Sequence, residues 1–179
     1  NREEGRKDMK VLSLFDGIAC AKVALDRAGM NVETYYASEV DEKAIAIAQK
    51  NWPDIIELGD VRHVKRNMPS APMLRDIAHT LGDIDLLIGG SPCQDLSRAN
   101  TGGKGLDGKR SGLFYEYLRV LRELKPRYFV LENVASMKKV YRDEITKELG
   151  VEPIMIDAAL VSAQSRRRLF WTNIPGITQ

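Results

Sequence analysis

The side chain best suited to covalent chemistry in this sequence is Cys93. It follows an apolar run over 86–88 and a sharp break made of two glycines, a serine and a proline. Such a run is typical of a buried strand in a parallel sheet, and ligands of these sheets collect at the carboxyl ends of the strands. Cys93 therefore lies where a nucleophile would be useful, although its position alone also suits an inert buried thiol.

A second candidate group is an acid that follows a small-residue turn. Residues 9–14 are predicted as the first strand, and Gly17 lies in the turn that leads into a helix over 21–28. A strand, a small-residue turn and a helix begin many nucleotide-binding units. Glu39 follows Gly17 at about the 20-residue interval at which such units place an acid on a ribose diol. The same acid also suits a solvated helix start.

The remaining pattern predicts the elements that must position these groups. Further strands are predicted over 33–38, 55–58, 128–131, 153–157 and 169–172, and further helices over 43–51, 73–81, 113–124 and 138–149. This alternation predicts one α/β domain over 1–179, with a mostly parallel, Rossmann-like sheet and helices on both faces. The glycine-rich, basic stretch 102–112 is either a passive solvated connection or a loop that closes over a polyanion.

Composition narrows the function classes. The chain has 179 residues, of which 44% are hydrophobic and 29% charged, the balance of an ordinary soluble globular domain. No apolar run is long enough to span a bilayer, and the charged amino terminus lacks the apolar core of a secretory signal. The two cysteines and two histidines have no zinc-type spacing, so we expect no metal site. A net charge of +2 neither requires nor excludes a nucleic-acid partner.

Taken in chain order, the motifs resemble those of DNA (cytosine-5) methyltransferases. The resembling segments are Phe15-Asp16-Gly17 for the cofactor loop, Pro92-Cys93-Gln94 for the nucleophile, Glu132-Asn133-Val134 for the second catalytic motif, and Gln164-Ser165-Arg166-Arg167-Arg168 for the Gln-x-Arg-x-Arg motif. The resemblance runs from about residue 10 to residue 173. A Pro-Cys pair alone is weakly diagnostic, whereas the ordered set is strongly so. The resemblance implies the Rossmann-like fold of S-adenosylmethionine-dependent methyltransferases.

The resemblance implies methyl transfer from S-adenosylmethionine to carbon 5 of cytosine. Cys93, as a thiolate, is expected to add to carbon 6, while Glu132 supplies a proton or hydrogen bond at ring nitrogen 3. Arg166 is expected to support the cytosine, with Arg168 nearby. This chemistry cannot reach a stacked base, so the expected partner is double-stranded DNA with a flipped cytosine. DNA methylation within bacterial restriction-modification is the implied setting.

The same resemblance assigns a cofactor site. The methionine and ribose are expected near Phe15, Gly17 and Glu39, and the adenine near Asp60 and Val61, with Asp60 accepting from the adenine amino group. The full set of expected cofactor-binding residues is Phe15, Asp16, Gly17, Ile18, Glu39, Val40, Asp60, Val61, Pro92 and Leu113. Val40 stands where many relatives carry a bulky aromatic residue, so weaker stacking on adenine is expected.

The sequence departs from the family after Asn173. Relatives normally continue into a target-recognition region and a final segment that returns to the cofactor pocket, and we expect a missing segment or a second polypeptide to supply both. The expected compartment is a bacterial or phage-infected cytoplasm, or the nucleus of a eukaryote. The alternatives are an RNA cytosine-5 methyltransferase, a non-catalytic accessory subunit of a split methyltransferase, and, at the level of the fold, a nucleotide-dependent oxidoreductase.

Overall fold

The computed structural model of the chain describes residues 8–66, 81, 83–91 and 112–177. Three expectations concern residues outside these ranges. They are the helix over 73–81 (apart from Leu81), the glycine-rich basic stretch (apart from Gly112), and the placement of Pro92 and Cys93.

The described residues form seven strands and four α-helices. The strands are β1 (Met9–Leu14), β2 (Val32–Ser38), β3 (Ile56–Glu57), β4 (Leu86–Gly89), β5 (Tyr128–Val134), β6 (Ile154–Asp157) and β7 (Arg167–Thr172). The helices are α1 (Cys20–Arg27), α2 (Glu42–Asn51), α3 (Leu113–Leu124) and α4 (Lys139–Leu149). Short 3-10 turns lie at Val61–His63 and Ala158–Leu160. None of these four helices is long and apolar enough to cross a membrane.

The strands make one sheet in the order β3-β2-β1-β4-β5-β7-β6. Strands β1 to β5 are parallel to one another, whereas β7 is antiparallel to both β5 and β6. The expected mostly parallel sheet is therefore confirmed. The chain first proceeds from β1 outward to β3 and then returns to place β4 on the other side of β1. Ligands of such sheets bind outside the carboxyl ends of the strands at this reversal.

Two apolar clusters cover the two faces of the sheet. Fully buried members of the larger cluster, which joins α3 and α4 to one face, include Leu12, Leu14, Leu87, Phe114, Tyr117, Leu131, Ile145 and Trp171. The smaller cluster joins α1 and α2 to the other face through Val11, Leu25, Tyr35, Ala48 and Leu86. Successive strand residues point to opposite faces, which is why Val11 and Leu12 enter different clusters. Helices therefore cover both faces, as expected.

Strands β5 and β7 exceed their predicted ranges by two residues or more. Strand β5 was expected to end at residue 131, with Glu132 beyond it, but it continues to Val134. Strand β7 begins at Arg167 rather than at residue 169. The cause is the antiparallel ladder, in which Glu132 pairs with Phe170 and Val134 with Arg168. Glu132 is therefore part of a strand rather than of a loop. Strand β3 is shorter than expected, at two residues.

Gly89, the last residue of β4, leaves room for the ring of Tyr117. A Cβ at position 89 would lie 2.8 Å from two ring carbons of Tyr117, which is inside van der Waals contact. Tyr117 is fully buried. We therefore expect Gly89→Ala to lower the free energy of unfolding by about 1–3 kcal/mol, measured by urea denaturation. In a Tyr117→Leu background, Gly89→Ala should lower the free energy of unfolding by a smaller amount. An equal cost in both backgrounds would show that the ring is not the cause.

Candidate active site

The turn after β1 has an uncommon backbone shape. Phe15, Gly17 and Ala19 all have positive φ angles, of 58°, 61° and 63°. Glycine adopts this left-handed region readily, whereas a residue with a Cβ pays about 1–2 kcal/mol. The carbonyl oxygen of Ser38, at the end of β2, accepts from the N–H of Phe15 at 2.8 Å and of Asp16 at 3.3 Å. The neighbouring strand thus holds a strained turn in place, which is common where a backbone approaches a ligand.

Glu39 joins this turn to the end of β2. Its Oε2 accepts from the N–H of Gly17 at 2.8 Å, and its Oε1 accepts from the N–H groups of Val40 at 2.7 Å and Asp41 at 3.0 Å. Each carboxylate oxygen can accept about two hydrogen bonds. Oε2 therefore keeps one acceptor position for a ligand hydroxyl. The structure brings together Gly17 and Glu39, two residues that the sequence analysis paired by their spacing.

Asp16 is buried beneath the same turn and is 8% exposed. Its Oδ1 accepts from the hydroxyl of Tyr35 at 2.6 Å, whereas its Oδ2 is buried without a hydrogen-bond partner. Burial raises the pKa of the Asp16 carboxyl, although hydrogen bonds from Ser13 and Tyr35 oppose the rise. A buried carboxylate oxygen without a partner is costly. A cationic ligand that enters beside Asp16 would relieve that cost.

Glu57 on β3 is a third carboxyl of this region, and the sequence analysis did not identify it. Its Oε2 is buried without a hydrogen-bond partner. Burial, and then the negative charges of Asp16 and Glu39, raise the pKa of Glu57 to about 7. The only signal for it in the sequence is an acid inside the apolar stretch 55–58. The three carboxyls give the turn after β1 an acidic environment.

A small cavity of about 100 Å³ lies beside the turn. It is lined by Phe15, Ser38, Glu39, Val40, Gly59, Asp60, Val61, Arg62 and Leu113, which include six of the ten expected cofactor-binding residues. A lining that combines apolar side chains with a few polar groups is typical of small-molecule sites. Ile18, by contrast, is 48% exposed and lines neither of the two cavities described for this part of the chain.

Asp60 is held by Arg62, a neighbour that the sequence analysis did not consider. The Oδ1 of Asp60 accepts from the backbone N–H of Arg62 at 3.0 Å and from its Nε at 2.9 Å, and Oδ2 pairs with Nη2. The side-chain hydrogen bond from Arg62 lowers the pKa of Asp60, so the carboxyl stays ionised and remains an acceptor. The side chain of Arg62 is 66% exposed, which leaves it free to move aside for a ligand donor.

Helix α3 holds the turn that follows Asp60. The guanidinium of Arg119 donates from Nη2 to the carbonyl oxygen of Val61 and from Nη1 to that of Val64, both at 2.9 Å. Glu116 and Glu123 on the same helix pair with Arg119 at 2.8 Å and 3.2 Å. This network attaches one wall of the small cavity to the most deeply buried helix of the larger core. Arg119 is a positioning residue that no motif revealed.

A second cavity, of about 580 Å³, meets the first at Phe15, which lines both. Its lining includes Asp16, Cys20, Gly90, Glu132, Arg166 and Phe170. The two cavities lie side by side at Phe15 and are together called the cleft. The larger cavity has a carboxyl and a guanidinium in its lining, those of Glu132 and Arg166.

Glu132 is oriented by Arg168 at the far end of this cleft. Its Oε1 lies 2.6 Å from the Nε of Arg168. Its Oε2 faces Gly90, where a Cβ would come within 3.0 Å of that oxygen. Glycine at position 90 therefore leaves Oε2 accessible from the side of the β4 exit. Arg166 lines the same cavity, so the structure brings together three of the four residues expected to be catalytic.

Asn133 anchors the chain that leads to the fourth expected catalytic residue, Cys93. Its Nδ2 donates to the carbonyl oxygen of Ser91 at 3.3 Å and lies 3.2 Å from the hydroxyl oxygen of Ser91. Both residues are buried, Asn133 at 1% exposure and Ser91 at 3%. Ser91 is two residues before Cys93 in the sequence. Within the described ranges, no group of acids, histidines and cysteines is arranged to hold a metal ion.

Glu57 makes the stability of the fold depend on pH. Its folded pKa of about 7 lies above the unfolded value of about 4.3, so the protonated form stabilises the fold. This contribution is complete below about pH 4 and is lost as the pH rises through about 7. Near pH 8 the Glu57 carboxylate is charged and destabilises the fold, and Glu57→Gln removes that charge. The substitution should therefore raise the free energy of unfolding. The gain should be only about 1 kcal/mol, because solvent screens a half-exposed carboxylate.

Thermal unfolding of the Glu57→Gln variant near pH 8 and near pH 4 measures this effect. The gain should disappear at the lower pH. Glu33→Gln, at an exposed position of β2, is the matched control and should show no pH-dependent gain. The assignment fails if Glu57→Gln has the same effect at both pH values.

Comparison with known proteins gives this geometry a family. The profile of the C-5 cytosine-specific DNA methylase family matches residues 9–174. The chain is 38% identical over 123 residues to the rice (Oryza sativa subsp. japonica) DNA (cytosine-5)-methyltransferase DRM2. The matched stretch covers 65% of this chain and 20% of the relative. It is 37% identical to the orphan methyltransferase M.Rho11sI of Bacillus phage rho11s, over 72% of this chain and 24% of the relative. It is 34% identical to the type II methyltransferase M.NgoFVII of Neisseria gonorrhoeae, over 76% of this chain and 34% of the relative.

A solved structure leads to the same family. A candidate DNA modification methyltransferase encoded within a prophage of E. coli superposes with a TM-score of 0.69 at 26% identity, over 92% of this chain and 46% of that chain. The chain thus spans about a fifth to a third of the length of the curated relatives named above. The expected membership of the DNA (cytosine-5) methyltransferase family and the Rossmann-like methyltransferase fold are confirmed. The chain belongs to the C-5 cytosine-specific DNA methylase family.

Proposed function

We propose that this chain is the catalytic domain of an S-adenosylmethionine-dependent DNA cytosine-5 methyltransferase. The observation that carries the proposal is the placement of Glu132, which pairs with Arg168 and lines, together with Arg166, a cavity of about 580 Å³ that shares Phe15 with the smaller cavity. A methyl transferase of this kind must hold a cofactor and a base side by side. The two cavities of the cleft offer one space for the cofactor and one for the base.

The residues of the small cavity fit S-adenosylmethionine, which when bound supplies the methyl group as an electrophilic sulfonium. Apolar side chains of Phe15, Val61 and Leu113 would cover the adenine, and Asp60 would accept from its amino group once Arg62 moves aside. Val40 is 66% exposed, which leaves that side of the adenine site thinly covered.

The acidic groups around the turn fit the rest of the cofactor. The remaining acceptor position on Oε2 of Glu39 would take a ribose hydroxyl. The unpartnered Oδ2 of Asp16 would face positive charge at the methionine end. We also propose that Gly17 and Ile18 act through the backbone of the turn, and that Pro92 shapes the chain beside the methyl group. Three carboxyls close together favour a cationic ligand over a neutral one.

In the proposed reaction Cys93 attacks carbon 6 of the cytosine as a thiolate. The electron pair of the broken ring double bond moves toward carbon 5 while nitrogen 3 gains a proton or a strong hydrogen bond. Glu132 supplies that interaction through Oε2, since Arg168 occupies Oε1 and fixes the carboxyl plane. Carbon 5 would then form a bond to the methyl carbon as the sulfur–methyl bond breaks and its electron pair returns to sulfur, which leaves S-adenosylhomocysteine as the product. Loss of the proton on carbon 5 and expulsion of the Cys93 thiolate restore the aromatic ring.

The proposed substrate is a cytosine flipped out of duplex DNA, because a stacked base cannot reach the cleft. Arg166 would contact the flipped base, and its cavity has room for one. We propose that the reading of a target sequence lies outside residues 1–179, in another part of the protein or in a second polypeptide. The large uncovered share of the curated relatives supports this. We further propose a bacterial or phage-infected cytoplasm as the compartment.

The covalent step predicts an adduct that survives denaturation. The protein that contains this domain should become linked to duplex DNA carrying 5-fluorocytosine, because fluorine at carbon 5 cannot leave as a proton does. Gel analysis after denaturation measures the adduct. Cys93→Ala should abolish it. Cys20→Ala is the matched control, since Cys20 is an exposed thiol that lines the cavity of Glu132 and Arg166, and it should retain the adduct.

Two outcomes of the adduct experiment contradict the proposal. Equal adduct from Cys93→Ala and the unaltered protein would remove Cys93 from the nucleophile role. Adduct on 5-fluorocytosine transfer RNA, with none on duplex DNA, would make RNA the substrate instead.

Substitutions of the two acids Glu132 and Glu39 should impair different steps, methyl transfer in one case and cofactor binding in the other. Glu132→Gln should lower the single-turnover rate of methyl transfer by about 10²–10⁴-fold with little change in cofactor affinity, because Glu132 acts on the base. Glu39→Ala should weaken binding of S-adenosylmethionine, because Glu39 holds the cofactor turn through Gly17. Single-turnover kinetics and titration calorimetry separate the two effects. The opposite pattern would mean that the assigned roles of the two acids are exchanged.

A further inference from the structure

Asp157, the last residue of β6, closes the loop that leads to Arg166. Its Oδ1 accepts from the backbone N–H of Ala159 at 3.1 Å and from that of Arg166 at 2.8 Å. Its Oδ2 accepts from the hydroxyl of Ser165 at 3.1 Å and from the Nε of Arg167 at 3.2 Å. One carboxylate therefore binds both ends of the loop between β6 and β7.

The peptide groups around Arg166 are bound on both sides of its Cα. Its N–H donates to Asp157, and its carbonyl oxygen accepts from the N–H of Ala158 at 3.2 Å. Two fixed peptide groups determine the direction of the bond from Cα to Cβ. The side chain of Arg166 consequently leaves the backbone in a set direction, into the cavity that also contains Glu132.

The alternation of an extended chain explains why this direction matters. Residues 166 and 168 point to one side of the strand and residue 167 to the other. Arg168 contacts Glu132 on the cavity side, whereas Arg167 reaches Asp157, its direct cross-strand partner. Asp157 thus holds Arg167 away from the cleft and Arg166 toward it. Asp157 lines neither described cavity, so it acts through the loop and does not reach the base.

The carboxylate form of Asp157 persists over the whole physiological range. Backbone N–H donors from Ala159 and Arg166, with smaller help from Arg167 and Ser165, lower its pKa to about 2. Hydrogen bonds from fixed N–H groups to an ionised acceptor are stronger than those between neutral groups. The loop is therefore held without dependence on pH in any ordinary assay.

We propose that Asp157 is a positioning residue that presents the Arg166 side chain to the flipped base beside Glu132. The proposal rests on the proposed function for its consequence in catalysis, whereas its structural part stands on the hydrogen bonds alone. No motif in the sequence assigned a role to Asp157.

Three variants of the whole protein test the proposal by single-turnover methyl transfer to duplex DNA. Asp157→Ala should lower the rate by about 10²-fold, the cost of a misplaced contact group, with the KM for S-adenosylmethionine within about twofold of the unaltered protein. Asp157→Asn keeps an oxygen acceptor for the two backbone N–H groups and should recover most of the rate. Asp143→Ala is the matched control, because it removes an exposed carboxylate of α4 that pairs only with Lys139 and Arg142 among the described contacts.

Amide hydrogen exchange supplies a readout that is independent of catalysis. The N–H groups of Ala159 and Arg166 should be protected in the unaltered protein and in Asp157→Asn, and should exchange at least tenfold faster in Asp157→Ala. If the unaltered protein transfers no methyl group, the proposed function fails while exchange still decides the role of Asp157 in holding Arg166. Unchanged protection of Arg166 in Asp157→Ala would overturn the proposal.

Two further outcomes are decisive. An equal loss of rate in Asp157→Asn and Asp157→Ala would overturn the assignment of Oδ1 as the holding atom. If amides throughout the core of Asp157→Ala lose their protection from exchange, that variant is unfolded and cannot test the proposal. Asp157→Glu then provides the test, because it keeps the charge and moves the acceptor oxygens by one methylene. That variant should lower the transfer rate while protection of Trp171 and its neighbours stays intact, and an unaltered rate would overturn the proposal.

Discussion

The antiparallel pairing of β5 with β7 is the interaction on which the rest of the site depends. Glu132 pairs with Phe170 and Val134 with Arg168, so Glu132 and Arg168 are diagonal neighbours on one face of the sheet. On the opposite face, Leu131 and Trp171 are fully buried. A slip of one residue would turn every side chain of β7 to the other face. Burial of the apolar face therefore fixes which charged groups enter the cleft.

Trp171 makes this register specific. Its ring is fully buried against the α3 and α4 side, and its Nε1–H donates to the hydroxyl of Thr146 on α4 at 3.0 Å. An indole N–H without a partner would be costly in this environment. The same ladder places Asn133 on the buried face, where it binds Ser91, while Glu132 remains on the face that lines the cavity. One pairing thus positions the buried Trp171, the Glu132 carboxyl in the cavity and the Asn133 amide at Ser91.

Charge is divided between the two ends of the cleft. Asp16, Glu39 and Glu57 lie around the ends of the first three strands, and two of these carboxyls have a buried oxygen without a partner. Arg166 and Arg168 lie at the other end, by β7. The carboxyls do not stabilise one another, since their mutual repulsion raises the pKa of Glu57. Groups that are locally unfavourable in a well-packed fold are commonly retained for function. A cationic methyl donor at the acidic end and an electron-rich base at the other are consistent with this division.

Local patterns in the sequence were sufficient to predict most of the elements. Strand β1 and helix α3 have the predicted bounds, 9–14 and 113–124, because apolar alternation and apolar helical spacing are properties of neighbouring residues. The ordered motifs were also sufficient for the family, which residues 9–174 match. The placement of Cys93 remains a prediction, since it lies outside the described residues.

The tertiary structure decided which side chains meet. The extension of β5 through Glu132, the pairing of Glu132 with Arg168, and the bonds from Asp157 to Arg166 each join residues that are separate in the sequence. The raised pKa of Glu57 likewise depends on Asp16 and Glu39, which lie on other strands. A residue pattern records the local preference of the chain. Register, burial and electrostatic environment arise only when distant segments pack together, so the sequence by itself determined the elements and the family, and packing determined the geometry of the site.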